Sequence, residues 1–186
     1  MLMVLSAYER DHRPDLIMTW LDDVPPAGLD TTPLSSDDIG ELYEYMLAAD
    51  DKDAKKRLGK YYTPGDVATF LATSLMGQAR PGMRIIDPCC GSGSLTLSTL
   101  SIADDPWTLA RHRLLICDID PMAVVITRTL VAAAFAPRGV TVAPDDIPAR
   151  VGDFLDGAVA ISDDDAIIMN PPYGRIPNGY PYDDNR

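Results

Sequence analysis

The residues best placed to do chemistry are Asn170-Pro171-Pro172-Tyr173, which follow the apolar run Ala166-Ile167-Ile168-Met169. An amine conjugated to an aromatic ring is a poor nucleophile, because its lone pair is delocalised into the ring. Two acceptors set at its two hydrogens would draw it toward tetrahedral geometry. Asn170 can offer its side-chain oxygen, and the carbonyl of Pro171 can offer the second acceptor. Consecutive prolines restrict the backbone torsions, so that carbonyl is held before a substrate arrives. Tyr173 supplies a ring on which a flat base can stack.

A second set of residues could hold a nucleoside-bearing cofactor. Asp87-Pro88-Cys89-Cys90-Gly91-Ser92-Gly93 is a glycine-rich turn, and glycines there let a backbone approach a ligand closely. It lacks the GxGxxG spacing of dinucleotide binders. Asp118 ends the apolar run Leu114-Leu115-Ile116-Cys117, and an acid at such a strand tip can accept both hydroxyls of a ribose. Strand-end acids are often only helix caps, a role that Asp120, just before Pro121, fits better. Asp153-Phe154 could offer a carboxylate to an adenine amino group and an apolar wall to its ring.

These groups must be positioned by the elements around them. Arg84-Ile85-Ile86, Leu114 to Cys117 and Ala166 to Met169 read as buried strands, with Val140-Thr141-Val142 and Arg150-Val151-Gly152 as candidates for a further strand and its edge. Helices are expected from Thr63-Pro64 to Gly77, with Thr63 as N-cap and Val67, Phe70, Leu71 and Leu75 as the apolar face, from about Ser94 to Ala103, and from Pro121 to about Phe135. Strands alternating with helices predict an α/β fold with a parallel sheet covered on both faces. Ligands in such sheets sit beyond the carboxyl ends of the strands, where the acids, glycines and Asn170 fall. The first 58 residues read as a helical leader. Pro14 to Leu21 has helical spacing, and Ser35-Ser36-Asp37-Asp38 caps a helix running toward Ala49. The expected division is thus a leader over 1–58 and the N-terminal part of a catalytic domain over 59–186.

The glycine-rich turn followed by Asn170-Pro171-Pro172-Tyr173, with Lys60-Tyr61-Tyr62-Thr63-Pro64 before both, resembles the adenine-N6 DNA methyltransferases of restriction–modification systems. The branch it resembles includes the modification subunits of type I enzymes, in which a Tyr-Thr-Pro segment folds over the methyl donor. The likeness covers roughly residues 59–174. It implies a Rossmann-like fold and S-adenosylmethionine as cofactor. It places Tyr62, Thr63 and Pro64 at the methionine part, beside Asp87, Pro88, Cys89, Gly91 and Gly93, with Asp118 at the ribose and Asp153 and Phe154 at the adenine. The substrate would be an adenine flipped out of DNA. Its amine would be polarised by Asn170 and Pro171, aligned for in-line transfer, and would lose its proton after methylation. Related enzymes that methylate protein glutamine or guanine in ribosomal RNA use a similar loop, and a non-catalytic cofactor-binding or assembly module is a further alternative.

Composition narrows the setting. The net charge of -12 is unfavourable for gripping phosphates, and the basic cluster Lys52, Lys55, Lys56, Arg57 and Lys60 reads first as a solvated face. DNA contacts are therefore expected from a partner such as a specificity subunit, or from a C-terminal recognition region. Only four strands can be counted, so the sheet is expected to be incomplete at the C-terminus and the chain unable to turn over alone. Cys89, Cys90 and Cys117 lack metal-ligand spacing and read as small buried apolar residues in a reducing, cytoplasmic setting. No metal and no membrane segment are expected.

Overall fold

The two central strands form where short runs of isoleucine and leucine leave no polar face, as expected for a sheet buried on both sides. In the computed structural model, which describes residues 1, 4–5, 7–8, 34–50 and 63–171, the elements alternate along the chain. They are α1 (Ser36–Asp50), α2 (Gly65–Met76), β1 (Arg84–Asp87), α3 (Ser94–Ile102), a helical turn closing with Leu109–Arg113, β2 (Leu114–Asp118), α4 (Pro121–Phe135), β3 (Ala149–Val151) and β4 (Asp165–Ile167). All strand pairs are parallel, in the order β3-β2-β1-β4. The chain builds outward from β1 to β3, then returns to lay β4 on the other side of β1. The point where strand order reverses therefore lies between β1 and β4, the usual place for a ligand crevice in an open parallel sheet. This is the expected α/β fold.

The edge strand β4 is short and is fixed at its start by charge. Arg84 pairs with Asp165 in register across the two strands. Its Nε donates to Oδ1 at 2.8 Å and its Nη2 to Oδ2 at 2.6 Å. The bidentate fit is geometrically specific, and the Arg84 hydrogen bond holds the Asp165 carboxyl down at about 2.

Helix α4 is apolar nearly all round (PMAVVITRTLVAAAF), so it needs cover on two sides. Its Val124, Val131, Ala132 and Phe135 join Ile85, Leu114 and Ile116 in the main core. Its Ala123, Ile126, Leu130 and Ala133 meet Leu5, Tyr8, Ile39 and Tyr43 from the leader. Helix α1 starts as the sequence predicts: Asp38 N–H donates to Ser35 Oγ at 3.2 Å, and Ser35 N–H to Asp38 Oδ2 at 2.7 Å.

Three expectations are corrected. Val140-Thr141-Val142 is no strand; it links two short 3-10 turns, Ala136–Arg138 and Pro144–Asp146, and buries only Val142. Ala149–Val151 takes the edge position beside β2 instead. The buried face of α2 is Ala68 and Ala72 with Leu71 and Leu75, whereas Val67 and Phe70 are exposed, Phe70 at 69%. Small residues let α2 approach closely, so its largest side chain points away. Finally, Pro64 rather than Thr63 occupies the N-cap of α2, and no side chain caps that helix. The expected helix over Pro14 to Leu21 and the basic cluster at 52–60 lie outside the described residues. Among the described residues, no helix is long and apolar enough to cross a membrane.

Candidate active site

At the carboxyl end of β1 the chain turns through 88–93 and is tied back at Cys90, Gly91 and Gly93. Cys90 N–H donates to the carbonyl of Cys117 at 2.9 Å, and Gly93 N–H to that of Cys90 at 2.8 Å. Thr127 Oγ1 donates to the carbonyl of Gly91 at 3.1 Å. Gly91 and Gly93 have φ of 52° and 89°, left-handed values that favour glycine. Their surroundings differ. A Cβ on Gly93 would lie 3.0 Å from Thr127 Oγ1, so this glycine lets α3 pack on α4. A Cβ on Gly91 would meet nothing within 4 Å, so the turn is open there to a ligand.

Asp118, at the tip of β2, is buried and held through both oxygens. Gly91 N–H donates to Oδ2 at 2.9 Å, and Asp120 N–H to Oδ1 at 2.9 Å. A carboxylate oxygen has a second acceptor site, so each can still take a hydroxyl. Asp120 caps α4, accepting Met122 N–H at 2.9 Å, and its other oxygen accepts the Tyr43 hydroxyl at 2.7 Å. The tip of β2 is therefore linked to the leader.

Asp87 ends β1 with no exposure at all. Thr96 Oγ1 donates to its Oδ2 at 2.7 Å, and Oδ1 has no hydrogen-bond partner among the described residues. Burial pushes its carboxyl up to about 7, opposed by the Thr96 hydroxyl, reinforced by nearby Asp118 and opposed again by the neighbouring Cys89 amide. The same surroundings push the Cys89 thiol up to about 12, through burial first and then Asp87 and Asp118. Burial raises Cys90 and Cys117 as well. All three remain neutral thiols at neutral pH, the form that packs rather than reacts. Among the described residues no cluster of His, Cys, Asp and Glu could hold a metal ion.

The turn after β3 sits against β2, with Gly152 N–H donating to the Asp118 carbonyl at 2.9 Å. Asp153 is partly spent on its own turn: Oδ1 accepts Leu155 N–H at 2.9 Å. Phe154 is half-buried against Ile86, Cys117 and Val159.

On the other side of β1, β4 delivers Asn170 to the same end of the sheet. Asn170 Nδ2 donates to Thr63 Oγ1 at 2.9 Å, and no described residue donates to its Oδ1. Ser94 Oγ donates to the Thr63 carbonyl at 2.8 Å, which pins the segment before α2 to the start of α3. Pro64 and Pro171 are exposed beside these contacts. Thus Thr63, Pro64, Asp87, Pro88, Cys89, Gly91, Gly93, Asp118, Asp153, Phe154, Asn170 and Pro171 all lie around the carboxyl ends of the strands; Tyr62, Pro172 and Tyr173 lie outside the described residues.

Ile119, 58% exposed immediately after Asp118, lies at the same strand end and was not singled out by motif and spacing. An apolar residue between two acids in a strand-end turn, where polar residues are usual, was the available signal. Thr96, Ser94, Thr127 and Tyr43 escaped it too. Their partners are 9 to 77 residues away, and no local pattern marks them.

A family model described as N-6 DNA Methylase matches residues 34–185, reaching back into the leader to include α1. The methylase subunit of the type I restriction enzyme MpnII from Mycoplasma pneumoniae is 32% identical over 68 residues, 37% of this chain and 12% of that subunit. The fold resembles DrdV in a complex with DNA, with a TM-score of 0.60 and 19% identity over 74% of this chain and 14% of that one. It also resembles the type IIG restriction endonuclease BpuSI, with a TM-score of 0.53 and 18% identity over 83% of this chain and 17% of that one. The chain thus spans a small part of each relative's length. On the family match over most of its residues, this chain belongs to the N-6 DNA methylase family, the methyltransferases of restriction–modification systems.

Proposed function

We propose that this chain carries the cofactor pocket and the amine-polarising loop of an enzyme that methylates N6 of adenine in DNA. One observation supports the reading most. Three features converge on one end of the sheet: an open glycine turn, a strand-end carboxylate with spare acceptor capacity, and an asparagine whose oxygen takes no described donor. The residues present suit S-adenosylmethionine. Asp118 would take the ribose hydroxyls and Gly91 would give backbone clearance. Ile119 and Phe154 offer apolar surface, and Asp153 an acceptor, for the adenine ring. Oδ1 of Asp87, which meets no hydrogen-bond donor within bonding geometry among the described residues, is a buried acceptor that a cationic amino group of the methionine part would satisfy.

When bound, this cofactor supplies a methyl group activated on a sulfonium. The chain's own part is to prepare the acceptor. Asn170 Oδ1 and the Pro171 carbonyl would each accept one hydrogen of the adenine amine, restoring nucleophilic character to its nitrogen. Tyr173 would stack on the flipped base. No side chain need act as base, because the methylated amine is acidic enough to lose a proton to water.

Grip and target choice are proposed to come from a partner subunit or from a recognition region of a larger polypeptide. Two facts favour this: the net charge of -12, and the small fraction of its relatives' length that the chain spans. Without that grip, methyl transfer by these residues alone is expected to be undetectable. Calorimetry with S-adenosylmethionine tests the pocket, and absence of binding overturns it. Labelled methyl transfer to DNA by the competent enzyme, followed by nucleoside analysis, tests the acceptor. Label on cytosine, guanine or protein rather than on N6 of adenine overturns that part.

A further inference from the structure

We infer that Thr63 is a positioning residue for the reaction, its hydroxyl anchoring the Asn170 carboxamide through Nδ2 and leaving Oδ1 to the acceptor amine. This rests on the role proposed for Asn170. The two ends of a carboxamide are nearly equal in size but opposite in function, one accepting and the other donating. The terminal torsion of asparagine is broad and roughly two-fold, so the backbone alone does not fix the plane of the group. A reversed carboxamide would point N–H groups at an amine whose own hydrogens need acceptors.

In this fold Nδ2 is already engaged, donating to Thr63 Oγ1 at 2.9 Å across 107 positions of sequence. Thr63 is buried, and its carbonyl is held by the Ser94 hydroxyl at 2.8 Å, so the anchor itself is fixed. Threonine before Pro64 would ordinarily cap α2, yet α2 has no side-chain cap. A cap is typically worth about 1 kcal/mol. The hydroxyl forgoes that contact and is spent on Asn170.

Two experiments test this. In the isolated chain, the side-chain amide signals of Asn170 should show slowed proton exchange, lost in Thr63→Val and Thr63→Ala and kept in Thr63→Ser. Unchanged signals in Val and Ala variants that give native spectra overturn the proposal. In the methylation-competent enzyme, Thr63→Val should lower kcat about 10- to 100-fold, the usual effect of a misplaced polar group. Its affinity for S-adenosylmethionine should fall by less than kcat does, and Thr63→Ser should restore the rate. The double variant with Asn170→Ala should be no slower than Asn170→Ala alone. Weakened cofactor binding that accounts for the lost rate, failure of serine to rescue, or losses that multiply would each assign Thr63 to the pocket wall instead. If Asn170→Ala still transfers methyl normally, the functional reading fails. If Asn170→Ala is inactive while Thr63→Val runs at the parental rate, only the role of Thr63 fails.

Discussion

The two sides of β1 place their functional groups by different means. On the β2 side, Asp118 is held by the amides of Gly91 and Asp120, and the glycine turn by Cys117 and Thr127. Those ties are many, largely through backbone, and follow directly from forming the β1–α3–β2 unit. On the β4 side, Asn170 follows a three-residue strand, and among the described residues its side chain is held by one hydrogen bond, to Thr63. A pocket framed by backbone keeps its shape when single side chains change. A residue hung from one side-chain contact can be misoriented without unfolding anything.

The largest test of that contrast is Asn170→Ala. It should reduce methyl transfer on the order of 10³-fold, as loss of one preorganised polar contact does, while calorimetry finds cofactor binding nearly intact. Equal collapse of binding would mean that the two sides are not separable.

Asp87 tests how far the β1 end is built against its own charge. Its carboxyl is raised from 3.8 to about 7 in the fold, so between those values the folded state holds more protons than the unfolded one. Stability from this group is therefore greatest at low pH, falls as pH rises through that window, and levels off above it. Asp87→Asn should remove this component, so that its stability relative to the parent rises between about pH 4 and about pH 7 in urea denaturation. The effect should reach a few kcal/mol at most, since one pKa unit is worth about 1.4 kcal/mol. A difference independent of pH would show that Asp87 is ionised in the fold.

Asp118→Ala should weaken cofactor binding by about 1 to 3 kcal/mol, the cost of leaving polar groups unpaired. An unchanged dissociation constant would remove Asp118 from the ribose. The smallest effect is expected at Tyr43→Phe. Losing its bond to Asp120 should cost about 0.5 to 1.5 kcal/mol of stability, read by thermal or urea unfolding, with cofactor affinity little changed because two backbone amides still hold Asp118. A large loss of affinity would show that the leader shapes the pocket through Asp120.

Much of the β2 side is legible in the amino-acid sequence. The glycine-rich turn, Asp118 at a strand tip and Asp120 capping before Pro121 are all local patterns, because each depends on neighbours within a few residues. Sequence and fold part where two local rules compete or packing overrules one. Val140-Thr141-Val142 has the composition of a strand, but the edge of β2 is taken by Ala149–Val151. Val67 and Phe70 look like core by spacing, but α2 buries Ala68 and Ala72. Thr63 looks like a cap by its place before Pro64, but its hydroxyl meets Asn170.

By itself the sequence determined the alternation of buried strands and helices, the chemistry available at their ends, and the resemblance that pointed to the family, since all three are written in residue type and spacing. Only the tertiary structure decided that β4 returns beside β1, that Tyr43 of the leader meets Asp120, and that Thr63 meets the Asn170 carboxamide. Those contacts join positions far apart in the chain, and a side chain's choice among hydrogen-bond partners is made only when packing brings them within reach.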